Sequence, residues 1–218
     1  VTVVVVNWNG ERFLDPLLQS LLATSYGPFE ILLVDNASTD GSRAILERYA
    51  LASDHVRAVY LDRNTGFAGG NTAGLARVSQ DTEYVCFLNF DCVVEPGWLR
   101  PLLDFLEAHP AVGVVQPKLL KLTDPSRIDR AAVTVDRLGY DVYDLLGEAI
   151  DGPQFDQPVE VFTASGAAFL VRKALLDEIA VKGLVFDPTY FVYFEETDIC
   201  WRLHLAGYEV WYCPSSRV

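Results

Sequence analysis

The sequence predicts an α/β fold in which a mostly parallel sheet carries helices on both faces. In the first half of the chain, short apolar segments rich in Val, Ile and Leu alternate with amphipathic segments. The apolar segments are continuous, as expected for strands that are buried on both sides. This alternation of strands and helices is typical of a parallel sheet covered by two helical layers.

Five strands are predicted in the first half of the chain. Each is an apolar, often β-branched run that ends in turn-forming residues. The strands are 1–9, 29–36, 56–62, 83–89 and 111–120. Strands joined by helices run parallel, so their carboxyl ends meet at one edge of a Rossmann-like sheet, which is where ligands bind in such folds.

Four helices are predicted between these strands. The first places apolar residues at helical spacing, at Phe13, Leu17, Leu18 and Leu21. The four helical segments are 11–25, 38–50, 69–80 and 95–109.

The second half of the chain is more irregular. Residues 123–163 are polar, rich in turn formers and weakly periodic, and loops of such length tend to be functional. Regular patterns return with a strand and helix over 166–179, a helix over 195–207 and a strand over 208–214. We therefore expect a single domain, 1–218, with an elaborated second half.

Composition limits the kinds of partner and compartment. The net charge of −13 argues against nucleic-acid binding, and an anionic ligand would need a cation or a helix N-terminus nearby. No apolar run reaches the length of a transmembrane helix. Four cysteines without CxxC spacing favour reduced thiols in the cytoplasm over disulfides or a zinc site.

Polar side chains follow each of the first four strands. They are Asn7, Asn9, Asp35, Asn36, Ser38, Asp40, Asn64, Asn71, Asn89 and Asp91. Taken singly, each is explained as a turn residue or a helix cap. Their concentration at one edge of the sheet, together with the glycines of the third loop, favours a site for a polar ligand.

Asp91 is the most informative of these residues. In "CFLNFDCVV", Asn89 and Asp91 interrupt an apolar run, and residues two apart on a strand point to the same side. A carboxylate in an apolar segment is costly unless it is compensated. A hard cation such as Mg²⁺ or Mn²⁺, which binds carboxylate, phosphate and water oxygens, would compensate it.

A second acidic group, Glu195, Glu196 and Asp198, follows an aromatic run and opens a predicted helix. Acids in a first turn stabilise the helix dipole, which is the simpler interpretation. Nearby aromatic residues also desolvate an acid and raise its pKa, as in a general base. Both interpretations remain open, for different members of the group.

Five segments together resemble the inverting family 2 glycosyltransferases of the GT-A fold, above all their rhamnosyltransferase-like members. The segments are "VVNWNG", "VDNASTDGS", "NTGFAGGN", "LNFDCVVEPGWL" and "YFEETDICWRLHLAGY", in the order and spacing of that family. The resemblance extends over the whole chain and is loose over 123–163.

The resemblance implies a nucleotide-sugar site at the edge of the sheet. Asp35 matches the acid that bonds the pyrimidine base, and Asn7 and Asn9 flank base and ribose. Ser38 belongs to the same site. The loop near the sugar diphosphate is matched by Asn64, Gly66 and Asn71.

The resemblance also implies the metal and the base. Asn89-Phe90-Asp91 stands where many relatives have Asp-x-Asp, so Asp91 would bind Mg²⁺ or Mn²⁺, and Asn89 would make a ribose contact or a water-mediated one. Glu196 matches the catalytic base, with Glu195 and Asp198 as competing candidates.

The function implied is metal-dependent transfer, with inversion, of a sugar from a dTDP- or UDP-linked donor to a hydroxyl of a glycan or lipid-linked glycan. Residues 1–117 would bind the donor, and 118–218 the acceptor. The chain starts at Val1 and lacks Met, so we expect it to be part of a longer protein. Many members of the family that the sequence resembles have a metal-binding His shortly after the last strand, and its counterpart here would lie beyond Val218. Any part that attaches the enzyme to the inner face of the membrane would likewise lie outside this chain.

Three other functions were considered. A sugar nucleotidyltransferase needs a basic, glycine-rich loop after the first strand, and "NWNGERFL" is not one. A dinucleotide-binding oxidoreductase is disfavoured because "GFAGGN" lacks G-x-G-x-x-G. A catalytically inactive nucleotide-sugar-binding module remains an alternative, because Asn89 and Glu196 depart from the usual family residues.

Overall fold

The computed structural model describes residues 1–131, 133–135, 141–143 and 149–218. The elements in chain order are β1 (Thr2–Asn7), α1 (Glu11–Leu22), β2 (Glu30–Asp35), α2 (Ser42–Ala52), β3 (Val56–Tyr60), α3 (Gly66–Leu75), β4 (Tyr84–Asn89), α4 (Leu99–Ala108), β5 (Val112–Lys121), β6 (Asp124–Arg130), β7 (Val133–Val135), β8 (Asp141–Tyr143), β9 (Val159–Glu160), β10 (Ala168–Arg172), α5 (Lys173–Glu178), α6 (Glu195–Leu205) and β11 (Glu209–Arg217).

The central sheet is mixed and mostly parallel, which confirms the predicted fold class. Its strands lie in the order β3-β2-β1-β4-β10-β5-β11-β9. The first four strands are parallel to one another, and β11 is parallel to β5. Strand β10 is antiparallel to both of its neighbours, β4 and β5, so it separates the two parallel groups.

The core lies on both faces of this sheet, because its strands are apolar on both sides. On one face, α1 packs the side chains of Leu14, Leu17, Leu18 and Leu21 against the sheet, beside α4. On the other face, the sheet packs against residues of α3, α5 and α6. Each fully buried aliphatic side chain stabilises the fold by about 1.5–3 kcal/mol.

Strand β6 was not predicted, and it corrects the expectation that residues 123–163 are irregular from their start. It pairs antiparallel with β5, although Ile128 is its only fully buried residue. With one buried position, the strand shows no alternation of apolar and polar residues, which is the signal that sequence analysis relies on. The remainder of this prediction falls partly on residues 132, 136–140 and 144–148, outside the described residues.

A buried lysine attaches the segment after β8 to the sheet. The Lys118 ammonium is fully buried on β5 and lies 2.7 Å from Asp151 and 2.6 Å from Asp156. Burial opposes ionisation of Asp151, but Lys118 and Arg217 outweigh it and lower the pKa of that carboxyl. Removing one partner of such a buried pair leaves an uncompensated charge, so the pair holds the segment in place.

None of the helices in the described ranges has both the length and the apolar character needed to cross a membrane.

Candidate active site

The register of the parallel strands brings three predicted site residues to one edge of the sheet. Asn7 at the end of β1 is paired with Asp35 at the end of β2, and Val6 is paired with Asn89 at the end of β4. Because β1 lies between the other two strands, Asn7, Asp35 and Asn89 come from adjacent strands at the same level.

Asn7 and Asp35 belong to one buried hydrogen-bond network with the loops that follow β1 and β2. The Asn7 Nδ2 group donates to Asp35 at 3.3 Å and to the Ser38 hydroxyl at 3.0 Å. The Asn9 N–H group donates to the same hydroxyl at 3.0 Å, and the Asn9 side chain accepts from the Thr39 N–H at 2.7 Å. These contacts bring four of the predicted nucleotide-site residues into one network.

The network leaves the Asn7 Oδ1 atom buried without a partner in the described part of the chain. A buried acceptor without a donor costs about 1–3 kcal/mol. The usual partner of such an atom is a water, an ion or a ligand. This atom is therefore compatible with a site organised for a polar ligand.

A second network is centred on Asn36, which was predicted as one of the polar side chains at this edge of the sheet. Its Nδ2 group donates to Asn64 at 3.0 Å and to the Gly66 carbonyl at 2.9 Å, and its Oδ1 atom accepts from the Thr65 N–H at 2.9 Å. The buried Asn71 side chain donates to the Phe67 carbonyl at 3.0 Å. The amide groups of Asn36 and Asn64 thus hold the β3–α3 loop in shape, whereas the Asn71 contact lies within α3.

The expected environment of Asp91 was wrong. Strand β4 ends at Asn89, so Asp91 lies in the turn that follows, and it is exposed. Its carboxylate therefore does not share the strand face of Asn89, and it is not destabilised by burial among apolar residues. The chain turns after Asn89 because Asn and Asp residues favour a turn over the continuation of a strand.

One cavity of about 800 Å³ lies next to this edge of the sheet. Among the predicted site residues, its lining contains Asn89, Asp91, Glu195 and Glu196. The Asn7–Asp35 network, the Asn36 network and Asp198 do not line it. The predicted metal residue and the predicted base thus share a cavity, although they are more than 100 positions apart in the sequence.

The segment Ser165–Ala167 connects the end of β4 to the acidic helix α6. The Asn89 N–H donates to the Ala167 carbonyl at 2.9 Å, and the Gly166 N–H donates to the Glu196 Oε1 atom at 3.3 Å. A Cβ atom on Gly166 would lie 3.1 Å from the Glu196 carboxyl carbon, so a side chain there would crowd the acid. The small residues before β10 thus allow a close approach of Glu196.

The carboxyl of Glu196 has a raised pKa. Burial raises its pKa to about 7, and the nearby Glu195 adds to this, whereas the hydrogen bond from Gly166 and the charge of Arg130 act in the opposite direction. A carboxyl with a pKa near neutrality is matched to proton transfer at physiological pH.

Glu195 differs from its neighbour in its surroundings. It is only 3% exposed, and its Oε2 atom has no partner in the described part of the chain. Burial raises the pKa of Glu195, and hydrogen bonds from the backbone N–H groups of Glu195 and Tyr193 partly offset this. Its carboxyl therefore holds the turn that precedes α6.

Asp198 is engaged in an ion pair. The Arg202 guanidinium donates to its Oδ2 atom at 2.7 Å and also donates to the carbonyls of Ile179 and Val185. Asp198 thereby ties α6 to the segment after α5. This placement, outside the cavity lining, favours a structural role for Asp198 over that of a base.

The sequence analysis missed several charged residues in the cavity. Asp129 and Arg130 at the end of β6, and Lys121 at the end of β5, all line it. Burial raises the pKa of the nearby Cys92 thiol to about 12, and the negative charges of Asp91 and Asp129 add to this increase. Asp129 and Arg130 could not be recognised as site residues in the sequence because β6, the strand that carries them, was not predicted.

The carboxylates of the cavity were compared with what a divalent cation requires. No group of three or more His, Cys, Asp or Glu side chains arranged for a metal occurs within the described ranges. A cage made only of protein ligands is therefore not formed by these residues. Mg²⁺ commonly uses one or two carboxylates together with phosphate and water oxygens, and the exposed Asp91 at the cavity suits that mode.

Comparison of the sequence with known families gives a match to glycosyl transferase family 2 over residues 2–180. This match ends before α6 and its acidic residues. A putative teichuronic acid biosynthesis glycosyltransferase, TuaG of Bacillus subtilis, is 28% identical over 65% of this chain and 55% of its own. The N-acetylglucosaminyl-diphospho-decaprenol L-rhamnosyltransferase of Mycobacterium tuberculosis is 28% identical over 99% of this chain and 74% of its own.

Solved structures show the same fold. The crystal structure of GalNAc-T7 with UDP, GalNAc and Mn²⁺ superposes with a TM-score of 0.78 at 17% identity, over 99% of this chain and 42% of the other. The chain thus spans about half the length of several proteins that it matches. The fold is of the GT-A type, and the match over most of the sequence shows that this chain belongs to glycosyl transferase family 2.

Proposed function

We propose that this chain transfers a sugar from a dTDP- or UDP-linked donor to a hydroxyl of a glycan or lipid-linked glycan, with inversion and with Mg²⁺ or Mn²⁺. The observation that carries this proposal is the single cavity that contains Asn89, Asp91 and Glu196. In this arrangement a donor diphosphate at the end of β4 and a base on α6 act on the same reacting carbon.

The first half of the chain, 1–117, binds the donor in this proposal. The Asp35 carboxylate at the edge of the sheet accepts a hydrogen bond from an N–H group of a pyrimidine base. Asn7, Asn9 and Ser38 orient this carboxylate through their shared network. GalNAc-T7, which shares this fold, was crystallised with UDP, and this supports a nucleotide-linked donor here.

Asp91 would hold the metal, and Asn89 would contact the ribose. A compensating cation would favour the binding of a diphosphate in a protein with a net charge of −13. When bound, Mg²⁺ or Mn²⁺ neutralises the charge that develops on the leaving diphosphate. Asp129 lines the same cavity and offers a second carboxylate.

Glu196 accepts the proton of the acceptor hydroxyl. The freed oxygen forms a bond to the anomeric carbon while the bond from that carbon to the diphosphate oxygen breaks. The Gly166 N–H group fixes one carboxylate oxygen, and the pKa of about 7 leaves a substantial fraction of Glu196 ionised at neutral pH.

The second half, 118–218, binds the acceptor. Exposed apolar side chains, Val93, Leu122, Val192 and Tyr193, line the cavity next to its acids. The mycobacterial relative acts, by its name, on a lipid-linked sugar diphosphate, which supports such an acceptor here. Four free cysteines favour the cytoplasm as the compartment, at the inner face of the membrane if the acceptor is lipid-linked.

The donor and metal assignment predicts a metal-dependent thermal shift. With UDP or dTDP at about 100 times Kd, stabilisation is about 2.7 kcal/mol. For a chain of this size, that corresponds to roughly 5–10 °C in Tm. Asp91→Asn should lose the part of the shift that requires Mg²⁺ or Mn²⁺, and Glu95→Gln, at another exposed carboxylate of the cavity, should keep it. Thermal melts with and without EDTA measure this, and an equal shift in both variants would remove Asp91 from the metal site.

The base assignment predicts the effect of substitutions in α6. Glu196→Gln should retain donor binding but lower kcat by about 10²–10⁴-fold, because no group then accepts the acceptor proton. Asp198→Asn should lower Tm, because Arg202 loses its carboxylate partner, whereas sugar transfer should continue. Radiolabelled sugar transfer and calorimetric donor binding separate the two variants. Full activity of Glu196→Gln would show that another residue is the base. If the wild type and every variant bind the donor but do not transfer sugar, a catalytically inactive binding module is favoured.

The raised pKa of Glu196 predicts the pH dependence. Transfer requires the ionised carboxylate, so kcat/KM should fall about tenfold per pH unit below about 7 and level off above it. Arg130→Gln should move this limb to higher pH, because the Arg130 charge lowers the pKa of Glu196. Arg127→Gln, at a neighbouring arginine outside the cavity lining, should leave the limb in place. A profile that is flat between pH 5 and 8 would contradict Glu196 as the base.

A further inference from the structure

The turn that leads into α6 determines where Glu196 lies, and it is an unusual turn. Tyr193 and Phe194 both have left-handed backbone conformations, with φ of 76° and 72°. For residues with bulky side chains, such conformations cost about 1–3 kcal/mol each. Phe194 is the N-cap residue of α6, so this turn sets the direction in which the helix starts.

Side-chain packing contributes little to holding this turn. Phe191, Val192, Tyr193 and Phe194 are 57%, 48%, 73% and 50% exposed. Burial of apolar side chains therefore contributes little to the stability of this turn at the N-terminus of α6. A strained and poorly packed turn persists only when other contacts determine its conformation.

A backbone contact with the β3–α3 loop supplies that support. The Phe67 N–H group donates to the Phe191 carbonyl oxygen at 2.8 Å. Phe67 lies in the first turn of α3, where N–H groups have no partner within the helix. The start of α3 and the turn before α6 thus satisfy each other's backbone groups.

Gly66 makes this contact possible. Its φ is +72°, and a Cβ atom at this position would lie 2.1 Å from the Phe191 carbonyl oxygen. That distance is far shorter than any tolerated contact, so only glycine permits the two loops to meet in this way. The Asn36 side chain, directly after β2, donates a hydrogen bond to the Gly66 carbonyl and so also fixes this residue.

We propose that Gly66 is a positioning residue for the catalytic base, which acts by docking the Phe191–Phe194 turn against the start of α3. This inference rests on the proposed function and changes the role that resemblance gives Gly66, which is a place near the donor diphosphate. It makes the loop at the end of β3 a support for Glu196 on α6.

Gly66→Ala tests this role, with Gly183→Ala as the matched control. Both glycines have positive φ, of 72° and 79°, but a Cβ atom at Gly183 meets nothing within 4 Å. Both variants therefore carry similar backbone strain, and only Gly66→Ala displaces Phe191. We expect Gly66→Ala to lower kcat by about 100-fold, as for a misplaced catalytic group, with the Kd for UDP within about twofold of the wild type. Gly183→Ala should keep the wild-type kcat.

Hydrogen exchange of the Phe67 amide provides a measurement that does not depend on activity. In the wild type this amide should be protected, and in Gly66→Ala it should exchange at a rate close to that of an unstructured amide. Retained kcat in Gly66→Ala, or loss of UDP binding with Phe67 still protected, would overturn the proposal. If Gly66→Ala does not fold, the wild-type amide decides, since fast exchange there would show that the loops are not docked. If no variant transfers sugar but Phe67 protection depends on Gly66, the docking stands and the proposed function fails.

Discussion

The hydrogen bond from the Gly166 N–H group to Glu196 is the contact on which the candidate site depends. The residues of the sheet edge come from the first half of the chain, and the acid comes from α6 near its end. Ser165–Ala167 joins the two, because the same segment also accepts a hydrogen bond from Asn89 at the end of β4. The buried Gln116 fixes the segment by accepting from the Ser165 N–H at 2.8 Å. Strand β10, which follows directly, anchors it between β4 and β5.

Burial of the Glu196 carboxyl explains why this residue is suited to proton transfer and why its ionised form reduces stability. Its pKa is raised by burial from 4.5 to about 7, so the folded state binds its proton more tightly than the unfolded state does. The favourable contribution of this proton to folding is complete below about pH 4.5 and is lost as the pH rises to about 7. An acid that serves only stability would be expected to have the opposite shift, as Asp151 does. Functional sites commonly sacrifice stability in this way.

The sequence predicted the edge of the sheet because that edge follows from local rules. Continuous apolar strands imply a parallel sheet, and parallel strands bring Asn7, Asp35 and Asn89 together without any knowledge of side-chain packing. Non-local pairing was harder to predict. The position of β10 between β4 and β5 depends on contacts across about 80 residues, and β6 has too few buried side chains to show a strand pattern. Asp129 and Arg130 were missed for that reason, and Asp91 was wrongly expected to share the strand face of Asn89, although the strand ends at Asn89.

The central claim is that Glu196 shares a cavity with Asn89 and Asp91, where the donor diphosphate is proposed to bind, so that the acceptor oxygen attacks the anomeric carbon directly from the face opposite the diphosphate. The anomeric configuration of the first product, read by ¹H NMR before any equilibration, tests this most directly. A donor whose sugar is α-linked to the diphosphate should give a β-linked product, because a single displacement inverts the reacting carbon. An α-linked product would require a second displacement or a different approach, and would contradict the assignment of Glu196 as the only base.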